Sequence, residues 1–263
     1  MAEESPSTMP PPGSTPIAQA VFARDGYAVV PGLVDVETCR LLREAVTASL
    51  DPLMGPVEYE ADVGYPGAPT DRDARGGRTP RRLFHAVSRF PPLAHWATGK
   101  EVGDELAGLF GHHDICLSQC HHNCIMTKHP GYSSATLWHQ DIRYWSFDRP
   151  DLISVWVALG AETRNNGALQ VIPGSHRLEL DRGRFDRDLF LRPDLPDNQS
   201  LIEQAEDVVM APGDVLFFHC RTFHAAGKNH TDAIKLSAVL TYHARDNRPI
   251  PGTRSDLLPS LPL

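Results

Sequence analysis

The sequence predicts a mainly β protein with N-terminal helices, an α+β chain whose core is a jelly-roll barrel. Three observations predict it. Helical periodicity is confined to the first 110 residues, short β-type apolar segments follow from residue 115 to residue 243, and turn residues separate those segments.

Residues 1–15, "MAEESPSTMPPPGST", are acidic and rich in Pro and Ser, without the basic start and apolar stretch of a secretory signal; a disordered tail is expected there. Residues 16–263 are expected to form one domain. Its start, "IAQAVFARDGYAVVPGLVDVETCRLLREAVTASLD", reads as a short helix, a strand around residues 27–30 and an amphipathic helix with Cys39, Leu41, Leu42, Ala45 and Val46 at helical spacing. Residues 56–82, rich in Gly, Pro, Asp and Arg, read as a long loop of the kind that often forms a lid. A second helical stretch spans residues 92–110. The β segments are then 115–128, 135–141, 152–160, 168–172, 207–210, 215–220 and 235–243, separated by "HPG", "DRPD", "RNNG", "IPGSH", "APGD" and "GKNHTD".

Composition narrows the function. With 263 residues the chain is long enough for one well-buried core, and a net charge of -8 gives no general attraction to nucleic acid. The longest apolar runs, such as "LISVWVALG" at 152–160, are far shorter than the roughly 20 residues a membrane span needs. Five cysteines include Cys116, Cys120 and Cys124, which would share one face of a single strand. Residues four apart on a strand lie about 13 Å apart, too far for one tetrahedral ion, so buried reduced thiols in a cytoplasmic protein are expected.

The pattern His-x-Asp occurs three times, at His112/Asp114, His139/Asp141 and His230/Asp232. Ligands at i and i+2 converge on one metal when the backbone is extended. Only His139 and Asp141 lie among β-branched and aromatic residues, in "SSATLWHQDIRYWSF"; "GHHD" and "NHTD" have the composition of turns. A facial triad needs a third ligand from a distant strand, leaving open positions for a chelating cosubstrate and O₂. His219 and His224 are both candidates. His224 is preferred because Lys235 follows at the start of the next strand, where a cation can enter the barrel; His219 then reads as a hydrogen-bonded wall residue. Adjacent histidines on a strand face opposite ways, so His121, His122 and His129 are expected to be structural.

From Trp138 to Tyr242 the chain resembles the phytanoyl-CoA dioxygenase family, through "WHQD" (138–141), "RNNGALQVIPGSH" (164–176) and "GDVLFFHCRTFHAAGKN" (213–229), with a weaker match at "FARDGYAVV" (22–30). The resemblance implies a double-stranded β-helix, iron(II) held by His139, Asp141 and His224, and 2-oxoglutarate and O₂ as cosubstrates. It implies that Lys235 receives the distal carboxylate of 2-oxoglutarate, where the family usually has arginine; lysine keeps the charge but not the bidentate fork. Ser237, on the same strand face, adds a hydroxyl. Where the family commonly has a serine two residues after the distal histidine, this chain has Ala226. Trp156 aligns, across a one-residue gap, with a tryptophan bordering the cosubstrate, and Thr136 with a threonine three residues before the first ligand. The implied reaction is hydroxylation of an unactivated C–H bond of a small molecule, with release of succinate and CO₂. A carboxylate at position 141 argues against halogenation, since related halogenases carry a small residue there.

On the substrate side, Arg143 would share the face of His139 and Asp141 by strand alternation, and Arg221 lies between the two histidines of "HCRTFH"; either is placed to meet an anionic substrate. The five arginines of "DRDARGGRTPRR" (71–82) suit phosphates of a CoA thioester, although a solvated face is the commoner outcome for such runs. Two other readings fit the same barrel: a cupin-like metal protein that binds a small ligand without oxidising it, and another iron dioxygenase or epimerase. Neither the prime substrate nor the oligomeric state is specified by these patterns.

Overall fold

The structure, a computed structural model, describes residues 16–263; the expected tail at 1–15 lies outside the described residues. Two antiparallel sheets with helices packed on one of them form the fold. Helix α1 (Pro16–Asp25) leads into β1 (Tyr27–Val30) and α2 (Val36–Ala48). The Asp35 carboxylate caps α2 by accepting from Thr38 N at 2.9 Å. Cys39, Leu42 and Val46 form its buried stripe, while Leu41, also expected there, is 41% exposed.

The segment expected as a loop holds strands at both ends, β2 (Val57–Tyr59) and β3 (Pro80–Phe84), which pair with each other. Arg81 and Arg82 hid β3, because cations break the apolar alternation by which a strand is recognised. Three helices follow, α3 (Ala86–Arg89), α4 (Pro91–Ala97) and α5 (Lys100–Phe110).

The strand expected over 115–128 is two strands, β4 (Ile115–Ser118) and β5 (Cys124–Lys128). Between them the chain turns through His122, whose φ of 32° is left-handed, and Asn123 anchors the turn by accepting from Val87 N through its side chain at 2.9 Å. Cys116, Cys120 and Cys124 therefore do not share one strand face. All five cysteines are unpaired.

The remaining strands are β6 (Thr136–His139), β7 (Leu152–Ala158), β8 (Leu169–Val171), β9 (Glu206–Asp207), β10 (Val215–His219), β11 (His224–Ala226), β12 (Lys235–Ala244) and β13 (Leu261–Pro262), with α6 (Pro196–Ile202) before β9. The larger sheet runs β1-β10-β7-β12-β5-β3-β2, with β4 on β12 and β13 on β4; the smaller runs β6-β11-β8-β9. Gly213, in the "APGD" turn before β10, has φ +89°, and a Cβ there would stand 2.5 Å from Val34 O, so only glycine closes this turn.

Strand alternation in the centre of the large sheet sets the interior. Val155 and Val157 of β7, Val215 and Phe217 of β10, and Leu236, Ala238, Leu240 and Tyr242 of β12 join the helices in one apolar core. Trp156 and Ala158, Leu216 and Phe218, and Val239 point the other way and pack with Leu169, Val171 and Ala226 of the small sheet. Because β7 is buried on both faces it reads as one apolar run, and the polar exception within it, Ser154, faces the inter-sheet space.

Truncating Phe217 removes a fully buried ring from the helix-side core. Phe217→Ala is predicted to lower unfolding free energy by about 3–5 kcal/mol, measured by urea denaturation.

Candidate metal centre and cosubstrate cavity

His139 is the last residue of β6 and His224 the first of β11, and the two lie directly opposite in the antiparallel ladder. Their ring centroids are 4.3 Å apart. Between His224 and Ala226, opposite Thr136, the register shifts, as at a bulge, where strands commonly re-aim side chains near active sites. The backbone then leaves the strand, and Asp141 opens a 3₁₀ turn, Asp141–Tyr144. Asp141 Oδ1 comes 3.8 Å from His139 Nε2 and 3.6 Å from His224 Nε2. All three side chains are buried, and among the described residues they form a group able to hold a metal ion.

The hydrogen bonds of the imidazoles define which nitrogen is available. His139 Nδ1 lies 2.8 Å from Leu137 O and His224 Nδ1 3.1 Å from Thr222 O. Carbonyl oxygens only accept, so each Nδ1 carries the proton and each Nε2 offers its lone pair toward Asp141. Burial holds both imidazoles below the usual histidine range, His139 the further, which keeps them neutral as metal ligation requires.

Asp141 Oδ2 accepts from Ser154 Oγ at 2.7 Å, whereas Oδ1 is buried without an aligned hydrogen-bond donor. Two inward lone pairs and one buried carboxylate oxygen make a donor set that fits a divalent ion with open positions. His122 Nε2 stands 2.9 Å from the same Oδ1. Burial disfavours ionising Asp141, but the facing His122 and His224 outweigh it and hold the carboxyl well below its usual range. Burial likewise opposes charging His122, yet the carboxylate pushes it up to about 9. Expecting 115–128 to be continuous strand made His122 structural; the left-handed turn delivers it to Asp141 instead, and no sequence signal distinguished it from His121.

His219 goes elsewhere: its Nε2 is 3.7 Å from Asp151 Oδ1 and its Nδ1 accepts from Arg221 N at 3.1 Å. Arg143 does not follow strand alternation, because the strand has ended; its guanidinium lies over the rings of Phe190 (3.8 Å) and Tyr144 (4.5 Å). Arg221 is ion-paired with Glu179 at 2.5 Å. Neither arginine lines the cavity beside the triad. In the 71–82 segment, Arg72 pairs with Asp62, Arg75 donates to the Tyr132 hydroxyl and Arg78 pairs with Asp73.

That cavity, of about 260 Å³, is bordered by His139, Asp141, His224, Thr136, Trp156 and Lys235 among others. Thr136 Oγ1 accepts from Arg81 at 3.3 Å. Lys235 Nζ donates to Glu162 Oε2 at 2.9 Å and to Ser237 Oγ at 3.1 Å, and stands 4.9 Å from the Trp156 ring centroid. Ser237 Oγ (2.5 Å) and Trp156 Nε1 (2.9 Å) both donate to Glu162 Oε1. Lys128, directly opposite Lys235 on β5, also borders the cavity and donates to Ser134 O and Gly227 O. Burial, then repulsion from Lys235 and Arg81, brings the Lys128 ammonium down to about 7. Sequence reasoning missed Glu162, which bridges to Met210 but reads in the sequence like any solvated acid, and Lys128, whose cross-strand position depends on register.

The family model for phytanoyl-CoA dioxygenase (PhyH) matches residues 22–237. The chain belongs to the PhyH family. It is accordingly a 2-oxoglutarate-dependent dioxygenase, and EctD, a protein of similar fold, has been solved with bound Fe. Ectoine dioxygenase of Sphingopyxis alaskensis is 28% identical over 246 residues, 87% of this chain and 76% of the relative. The human peroxisomal phytanoyl-CoA dioxygenase is 30% identical over 136 residues, 48% of this chain and 39% of the human protein. Among solved structures, EctD from S. alaskensis with 2-oxoglutarate and 5-hydroxyectoine superposes with TM-score 0.72 at 23% identity, covering 90% of this chain and 78% of EctD. The carbocyclase SnoK of nogalamycin biosynthesis gives TM-score 0.73 at 21% identity, covering 95% and 93%. Both likenesses concern the fold.

An ion held by the triad predicts that His139→Ala and His224→Ala abolish iron(II) binding while His219→Ala keeps it, as measured by metal content after anaerobic loading. Ser154→Ala, which frees one Asp141 oxygen, should weaken iron roughly tenfold.

Proposed function

We propose that His139, Asp141 and His224 hold iron(II) on one face, and that the chain hydroxylates a C–H bond of a small polar molecule. The observation that carries this is the convergence of two inward Nε2 lone pairs on a buried carboxylate oxygen. Bound iron with 2-oxoglutarate and O₂ supplies the oxidising power, with succinate and CO₂ as co-products. The two facing sheets are read as the two halves of a jelly roll, and residues 16–263 as one domain.

The protein's own groups divide the work. Ser154 fixes the Asp141 carboxylate so that one oxygen stays directed at the ion. Lys235 and Lys128, side by side on β12 and β5, form the cationic end that draws the distal carboxylate of 2-oxoglutarate, with the Trp156 ring as an adjoining wall. Thr136, which borders the cavity, offers a hydroxyl near the first histidine. The rest of the lining mixes cation and carboxylate: Arg81 and Arg82 lie 3.0 Å and 3.3 Å from Glu58, with Tyr65 and Tyr144 beside them. Such a lining suits a small substrate with polar groups of both signs. A CoA thioester is disfavoured, because Arg72, Arg75 and Arg78 are already engaged on the surface. Among the described residues, no helix is long and apolar enough to cross a membrane, and the unpaired cysteines fit a cytoplasmic setting.

Succinate release from 2-oxoglutarate, measured across a panel of small zwitterions, organic acids and neutral compounds, tests the reading. Stimulation by a zwitterion with a matching hydroxylated product is expected; absence of iron-dependent succinate formation would refute it. Lys235→Ala should weaken 2-oxoglutarate at least tenfold, roughly, with little change for iron. The pH dependence follows from Lys128, whose ammonium is charged below about 7 and neutral above it. At saturating iron, 2-oxoglutarate affinity should fall between about pH 6 and pH 8, and Lys128→Met should flatten that fall.

A further inference from the structure

The two donors expected to serve the cosubstrate's distal carboxylate, Lys235 and Ser237, are already gathered with the bordering Trp156 on a carboxylate of the protein. Lys235 Nζ, Ser237 Oγ and Trp156 Nε1 all donate to Glu162. Glu162 is fully buried, and Lys235 is 5% exposed. Nor is Glu162 free to withdraw, since its backbone exchanges two hydrogen bonds with Met210, at 2.8 and 3.1 Å. Main-chain bonds thus fix the backbone of the acid and three side-chain donors hold its carboxylate beside the ammonium, where its charge opposes any second carboxylate brought to the same lysine.

We propose that Glu162 is a specificity-determining residue that cancels the charge of Lys235 and so sets the strength with which this site prefers a dicarboxylic over a monocarboxylic 2-oxo acid. The proposal rests on the cosubstrate reading above. Lys235 and Glu162 form a neutral pair, and Lys128, hydrogen-bonded to two backbone carbonyls, supplies the net positive charge of that end of the cavity. Removing Lys235 alone then harms cosubstrate binding by uncovering a buried carboxylate as well as by losing an ammonium. Removing both partners spares most of that loss.

The test compares 2-oxoglutarate with 2-oxopentanoate, the five-carbon analogue without the distal carboxylate, by anaerobic titration of the iron(II)-loaded protein followed through the metal-to-ligand charge-transfer band. Glu162→Gln keeps the shape and removes the charge. It is expected to tighten 2-oxoglutarate about tenfold and leave 2-oxopentanoate unchanged. Equal shifts for the two acids, or weaker binding of 2-oxoglutarate, would overturn the proposal. Should that variant not fold, the pair is removed together: the double variant K235M/E162M is expected to bind 2-oxoglutarate within about threefold of the wild type and more tightly than K235M. The thermal melting of the metal-free double variant should also exceed that of K235M. A double variant as weak as K235M in binding would overturn the proposal by itself. A wild-type protein that binds iron but gives no band with either acid would refute the cosubstrate reading first, and this inference with it.

Discussion

The site depends on one register: β6 and β11 run antiparallel with His139 directly opposite His224. Cross-strand partners are the closest pairs a sheet offers, and here closeness brings two imidazoles together with their Nδ1 protons committed to the backbone. A slip of one residue would turn either ring to the other face of the small sheet. Asp141 completes the group because the chain leaves the ladder just after His139 and winds into a 3₁₀ turn.

The large sheet serves this register from across the interior. Its central strands give alternate residues to the helices, which build the core, and to the inter-sheet space, which holds the chemistry. Ser154, Trp156, Lys235 and Ser237 lie on that second face, and one of them, Ser154, reaches a triad residue directly. The electrostatics are concentrated accordingly: neutral imidazoles and an ionised Asp141 at the centre, and two lysines with one buried glutamate at the cationic end. Neighbours of similar fold include an epimerase and a carbocyclase, so the scaffold alone does not determine the reaction.

Much of this was legible in the sequence, and the omissions have common causes. The composition around "WHQD" separated His139 and Asp141 from two other His-x-Asp pairs, and the order of β segments was largely correct. Extended backbone continues through Gln140, so the i, i+2 reasoning holds for His139 and Asp141; it fails for Arg143, because the 3₁₀ turn begins at Asp141. His122 was missed because a left-handed turn interrupts what read as one strand. Glu162 and Lys128 were missed because burial of a charge is a property of tertiary pairing that adjacent residues do not mark. β3 was missed because two arginines occupy it, turned toward carboxylates that only the fold brings near.

The central claim is that positions 139, 141 and 224 share one ferrous ion with room left for a 2-oxo acid. Anaerobic addition of iron(II) and 2-oxoglutarate to the metal-free protein, followed by absorption, tests it most directly. The account predicts a charge-transfer band that needs both additions, saturates at one iron per chain and disappears in His224→Ala. A band that persists in that variant, or iron binding in the wild type with no band at all, would contradict it.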